Sequence, residues 1–225
     1  MRYHVPEKLH ADLREPVIVH SAQLAWTPSP QPGVERRFLE RDGGEIARAT
    51  SIVRYAAGSA FPAHEHHQGE EFLVLAGVFS DEHGDFAAGT YVRNPPTSRH
   101  APFTKQGCTI FVKLRQMSDE DRDAVVIRWS EVESARTEIP GLARIELYRR
   151  GVAERVALER LAPAFESRSR GELGGEEILV IEGELFYGDE VCEPGTWIRF
   201  PRGRERPLAS RGGCSLWTKR GHLGS

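Results

Sequence analysis

The chain writes one stretch of sequence twice. GEEFLVLAGVFSDEHGDFAAGTYVRNPP at 69–96 returns as GEEILVIEGELFYGDEVCEPGTWIRFPR at 175–202, and GCTIFVK at 107–113 returns as GCSLWTK at 213–219. The offset is 106 throughout, and 13 of the 45 ungapped positions from 69 to 113 are identical. Most other apolar positions exchange like for like. A repeat of this size means that one structural unit is built twice. Upstream the match is looser. W-x-x-x-x-x-P-G at Trp26–Gly33 is echoed by Trp129 and by Pro140–Gly141, and SIVRY at 51–55 by ALERL at 157–161. This places the units at 26–128 and 129–225, with the acidic MSDEDRD at 117–123 as the linker. Residues 1–25 fall outside the repeat as an arm, in which the β-like VIVHSAQLAW is expected to add an edge strand.

The local grammar is that of strands. EEFLVLAGVF, TYVRNP and CTIFVKL are short runs rich in Val, Ile, Phe and Thr, punctuated by Gly, Pro and Asp. No window carries a long apolar period of 3.6 residues. Two all-β units of this kind point to small barrels or jelly rolls. Gly77, Gly89, Gly183 and Gly195 recur in register, as turn positions with positive φ do. The aromatics Phe72, Phe79, Tyr91, Phe103 and Phe111 are expected to line the barrel.

Bulk properties narrow the partners. The 225 residues carry a net charge of −3, which favours neither nucleic acid nor an anionic membrane. No apolar run approaches the roughly 20 residues of a membrane helix. The polar start MRYHVPEKLHADL lacks the apolar stretch of a signal peptide. Cys108, Cys192 and Cys214 lie far apart without a C-x-x-C, which fits a reducing compartment, so a cytoplasmic location is expected. Cys108 and Cys214 occupy equivalent positions, and Glu71 and Glu177 likewise, which suggests scaffold roles for all four.

Histidine use is uneven. Five of the nine histidines are His64, His66, His67, His83 and His100. On an extended strand His64 and His66 project from one face and His67 from the other. The H-Q-G stretch can then turn the chain and bring in Glu70, and His100 follows after the turn-like N-P-P-T-S-R. Three imidazoles and a carboxylate suit one divalent Zn, Fe(II), Mn, Ni or Cu ion. His67 is the alternative ligand, and His83 sits in a turn-like S-D-E-H-G-D. Tyr91 and Arg93, alternating on a strand near the site, are candidate ligand-pocket residues.

The first half resembles the cupin superfamily. Gly58, His64, His66, Glu70 and Gly77 keep every interval of the first cupin motif, and Gly89, Pro95 and His100 keep those of the second. Thr97 stands where that motif has Gly, and Thr104 where it has Asn. FLVLAGVFSDEHGDFAAGTYVRNPPTSRHAPF looks like the ChrR-type cupins, which occur in zinc-binding anti-sigma factors and as free-standing single or double cupins. The resemblance implies a bicupin of two jelly-roll barrels. It also implies one metal per chain on His64, His66, Glu70 and His100, with zinc first and Fe(II), Mn or Ni as alternatives. A sensory or regulatory role is implied too, although the helical sigma-binding domain has no counterpart here, so a sigma-factor partner is not expected. The alternative is a non-heme Fe(II) dioxygenase or another metal-dependent enzyme on a small organic substrate. No general base stands beside the motif, and the sequence assigns no catalytic residue. A homodimer through sheet edges is a further expectation.

In the second half no histidine stands opposite His64 or His66. His100 becomes Arg206 at the fixed offset, Glu70 becomes Glu176, and Arg168 and Arg170 are the replacements nearest the H-x-H. A buried carboxylate left without metal needs a cation. Arg206, with Arg170, is therefore expected to pair with Glu176. An anion pocket lined by Arg199, Arg202 and Arg204 is the other possibility.

Overall fold

The computed structural model describes residues 6–44, 46–151, 154–169 and 172–223. It is built almost wholly of antiparallel strands that divide into two units. One holds Leu24–Glu131 with the described residues up to Ala11, and the other holds Asp12–Gln23 with the described residues from Val132 onward.

The first unit's main sheet runs Lys8–Leu9, Val34–Asp42, Arg48–Tyr55, Cys108–Leu114, Glu70–Asp81, Thr90–Asn94 and Val125–Arg128. His64–Glu65 pairs with Arg99–His100 as a separate ribbon, and single bridges join Phe103 to Ala60 and Ser80. Between these layers lies an apolar core that includes Val53, Phe72, Val74, Phe79, Phe86, Val92 and Ile110. The second unit repeats the plan. Its main sheet orders Ala135–Arg136, Leu142–Arg150, Glu154–Leu161, Cys214–Arg220, Glu176–Gly183, Thr196–Phe200 and Val17–His20. A facing sheet of Phe165–Ser169, Arg206–Ser210, Leu185–Tyr187 and Glu190–Cys192 closes it over Ile178, Val180, Ile198, Phe200 and Leu216.

Hydrogen-bond registers extend the repeat further than the sequence match did. Glu70 lies opposite Asn94 as Glu176 lies opposite Phe200, and Val125 opposite Arg93 as Val17 opposite Arg199. Val17–His20 is thus the counterpart of Val125–Arg128, at an offset of 108, and each ends its unit's main sheet. The hairpin between Asp42 and Arg48 is two residues longer than that between Arg150 and Glu154, which turns 108 into 106. The arm drawn at 1–25 therefore divides. Residues 12–23 pack with the second unit, because their strand completes its sheet, while Trp129–Glu131 stay with the first. The supposed linker 117–123 is also partly core. Met117 is buried against Gly69, and Asp121 is buried in an ion pair with Arg93.

Gly77, Gly89, Gly183 and Gly195 have φ of 72°, 88°, 74° and 86°. A Cβ on Gly77 would meet the Gly107 carbonyl at 2.1 Å, so both sterics and dihedral require glycine there. Thr97, at the position where the cupin motif has Gly, takes φ 72° despite its β-branch, a costly conformation held by the Pro95–His100 turn. Cys108 and Cys214 are buried core thiols, and burial pushes Cys108 up to about 11.

Candidate metal centre

The short ribbon of the first unit sets His64 directly opposite His100. Two residues on, His66 leaves the ribbon, its carbonyl accepting from Thr97 N and Gly69 N. Gln68 and Gly69, with φ of 57° and 73°, reverse the chain. Glu70 is then the first residue of the long strand Glu70–Asp81. One potential ligand atom from each of His64, His66, Glu70 and His100 lies within 4.8 Å of the others. The imidazole rings stand 4.6–5.0 Å apart, and His66 Nε2 and His100 Nε2 are each 3.5 Å from Glu70 Oε1. His67 and His83 are exposed and stand outside the cluster.

Each imidazole is held from behind through Nδ1. His64 Nδ1 donates to Pro62 O at 2.9 Å, and His100 Nδ1 to Asp81 Oδ2 at 3.0 Å. Ser98 Oγ donates its proton to Pro95 O, so it accepts from His66 Nδ1, 2.9 Å away. These bonds assign the protons to Nδ1 and leave the Nε2 lone pairs facing inward. His66 Nε2 and His100 Nε2 are buried without a hydrogen bond, although buried polar atoms are normally satisfied. Burial depresses His66 to about 3, with His100 and His64 adding, and burial lowers His100 against the pull of Asp81. Burial also lifts Glu70 to about 7, against the hydrogen bond from Asn94 Nδ2 at 3.2 Å. Fixed imidazoles with inward lone pairs beside one carboxylate fit a divalent cation, which would satisfy the orphaned atoms together.

The sequence pattern missed Ser98, Asn94 and Asp81. Asp81 ends the strand that Glu70 begins, so its only local signal was a turn-like S-D-E-H-G-D.

A cavity of about 220 Å³ adjoins the four ligands. Phe38, Val53, Phe61, Phe79, Ile110 and Val112 give it apolar walls, and Arg36, Arg41 and Arg115 also line it. Tyr91 and Arg93 do not. Their strand lies opposite Glu70–Leu73, and the two-residue period turns 91 and 93 away with Glu71. Tyr91 Oη donates to Glu71 Oε2 at 2.7 Å, while Arg93 bridges Glu71 and Asp121. Phe111 likewise lies outside the cavity, between the inward Ile110 and Val112. Phe72 and Phe79 belong to the core as expected. Thr104 is buried and ties Val78 O to Gly107 N, a turn-fixing role in the Asn position.

The second unit places arginine where the first places histidine. Arg206 Nη1 lies 2.9 Å from Glu176 Oε2 and 3.0 Å from Oε1. Arg220 Nη2 is 2.7 Å from Glu176 Oε1, and Arg220 also grips both oxygens of Glu159 at 2.7 and 2.8 Å. Arg144 reaches Glu159 at 2.6 Å. The second partner of Glu176 is thus Arg220, whereas Arg170 lies outside the described residues. Ser169 stands opposite Arg206, as His64 stands opposite His100. Arg199 is buried and donates to the carbonyls of Asp12 and Glu15, and Arg202 and Arg204 are exposed, so the three do not frame an anion pocket. The corresponding cavity shrinks to about 10 Å³.

The model of the ChrR cupin-like domain family matches residues 14–118. No protein of curated function matches the sequence. Among solved structures, a candidate dioxygenase of Nostoc punctiforme superposes with a TM-score of 0.76 at 13% identity, covering 94% of this chain and 85% of that one. The salicylate 1,2-dioxygenase of Pseudaminobacter salicylatoxidans gives 0.66 at 15%, with 94% and 85% covered. A bacterial pirin of Escherichia coli in complex with nickel(II) gives 0.69 at 9%, with 92% and 98% covered. At such identities the likeness establishes the fold. Among the described residues no helix is long and apolar enough to cross a membrane. Residues 14–118 thus match the ChrR cupin-like domain family, and the chain as a whole has the fold of two tandem cupin barrels.

Proposed function

We propose that this bicupin is a metal-dependent enzyme, a non-heme Fe(II) dioxygenase acting on a small organic substrate in the first unit. The cavity carries this reading, because about 220 Å³ of space adjoins the four ligand side chains. A purely structural ion is enclosed by its ligands and needs no such room. Iron(II) held by His64, His66, Glu70 and His100 would supply the redox chemistry that dioxygen requires. Ser98, Asp81 and Pro62 O fix the three rings through Nδ1, and burial keeps His66 and His100 neutral. The apolar walls limit water around a bound substrate. The likeness to a salicylate 1,2-dioxygenase and to a nickel-bound pirin agrees with a metal centre on this fold. Buried free thiols at Cys108, Cys192 and Cys214 support a cytoplasmic setting.

The test is elemental analysis of protein purified without added metal, followed by oxygen uptake of the Fe(II)-loaded protein against a panel of small aromatic and aliphatic compounds. Iron in the protein and substrate-dependent uptake that His66→Ala abolishes are the expected results. The match to the ChrR cupin-like family favours a second reading, a zinc-loaded sensory or regulatory protein. Tightly held zinc without turnover on any panel member would favour that reading over the enzyme.

A further inference from the structure

The cavity beside the metal ligands holds cationic side chains that the fold does not neutralise. The side chain of Arg36 is half-buried and has no hydrogen bond or ion pair with any described residue. Arg41 is buried, donates to Gly44 O, and leaves its Nε without a partner. Arg115 also lines the space. Burial works against the charge on Arg36 and on Arg41, and Arg36 opposes that of Arg41 further. The carboxylates on the lining are Glu65 and Glu70, and Glu70 belongs to the candidate metal cluster. A buried guanidinium ordinarily has a carboxylate partner.

The second unit shows which partner is missing. Arg36 lies opposite Val53 across two paired strands, and the equivalent pair there is Arg144 opposite Glu159. In that pair Arg144 binds Glu159 at 2.6–2.8 Å inside the barrel. Where the second unit carries its own carboxylate, the first carries valine and open space.

We infer that the first-unit cavity binds an organic carboxylate whose head group takes the place of the Glu159 side chain, held by Arg36 and Arg41, with its apolar body along Phe38, Val53, Phe79 and Ile110. The inference rests on reading this cavity as the substrate site, and it names the substrate class. A planar guanidinium fork matches a carboxylate, and the divalent ion adds positive charge to the same space. The apolar walls select against a bare inorganic anion.

The test uses calorimetric binding to the full-length Zn(II)-loaded protein, in which turnover does not complicate the signal. Benzoate and hexanoate are the probes, with benzamide and hexanamide as neutral controls of the same shape. At least one carboxylate should bind about tenfold or more tightly than its amide, the value of one charge-assisted hydrogen bond. Arg36→Met should remove that preference with metal content and melting temperature retained, and Arg36→Lys should restore part of it. Val53→Glu, which supplies the carboxylate internally as in the second unit, should also abolish binding and should not lower the melting temperature. Equal binding of acid and amide, no binding of either acid at millimolar concentration, or a preference that survives both Arg36→Met and Val53→Glu would overturn the inference. A preference that depends on the metal alone would persist in Arg36→Met and count against it too. Carboxylate selectivity without oxygen uptake in the Fe(II) protein would leave this inference standing while the dioxygenase reading fails.

Discussion

The two units share a sheet order and a buried glutamate at the same register, yet they treat that glutamate in different ways. In the first, Glu70 meets three imidazoles and an open cavity of about 220 Å³. In the second, Glu176 meets Arg206 and Arg220, and Glu159 and Arg144 continue the network until about 10 Å³ remains. A carboxylate inside a barrel demands positive charge from somewhere. The first unit has no fixed cation on Glu70 among the described residues, and its three imidazoles and carboxylate suit a bound ion instead. The second meets the demand with arginines fixed to the chain, and the same substitutions fill the space a ligand would need. The histidines at 64 and 100 and the residues at 53 and 114, where the second unit has Glu159 and Arg220, therefore belong to one exchange.

Substituting one equivalent position in each unit should give the largest difference between them. His100→Ala should strip most of the metal from the protein, and Arg206→Ala should leave the content at one ion per chain. Elemental analysis of both variants decides it, and a second equivalent of metal in the wild type would end the contrast outright. The next effect is on stability. Arg220→Ala leaves Glu159 and Glu176 short of a shared partner and should cost about 3–5 kcal/mol in denaturant unfolding, with the metal unchanged. If Arg220→Ala unfolds like the wild type, the network is not what holds the second barrel.

Acid should separate the units in a related way. Burial alone would raise Glu159, but Arg220 and Arg144 overcome it and hold the carboxyl at about 2, below its ordinary 4.5. A depressed folded-state value stabilises above the ordinary one and loses that contribution as pH falls toward 2. Denaturant unfolding of the wild type against Glu159→Gln, followed by the near-ultraviolet signal to which Trp197 and Trp217 of the second unit contribute, should assign to this carboxyl a loss on the order of 3 kcal/mol across that window. Glu159→Gln should flatten the dependence. The smallest effect is expected behind the first site. Asp81→Ala frees the His100 ring and should weaken metal binding about 10- to 100-fold, without the wholesale loss seen for His100→Ala. Competition with a chromophoric chelator measures it.

Sequence alone carried the repeat, the all-β character, the clustering of His64, His66, Glu70 and His100, and the arginine opposite the second glutamate. These are short-range or strictly periodic features. H-x-H places two rings on one face by the two-residue period, Gln68 and Gly69 supply the reversal, and a fixed offset carries His100 onto Arg206. Tertiary structure decided which distant strands became neighbours. Arg220 and Glu159 meet because Glu154–Leu161 and Cys214–Arg220 lie side by side, a pairing across 61 residues that no local spacing records. Tyr91 and Arg93 turned away from the histidine cluster because register against Glu70–Leu73, and not proximity along the chain, fixes the face of each side chain. Residues 12–23 joined the second unit for the same reason. A strand's hydrogen bonds are satisfied by whichever sheet edge the fold brings to it, and the edge beside Val17–His20 is Thr196–Phe200.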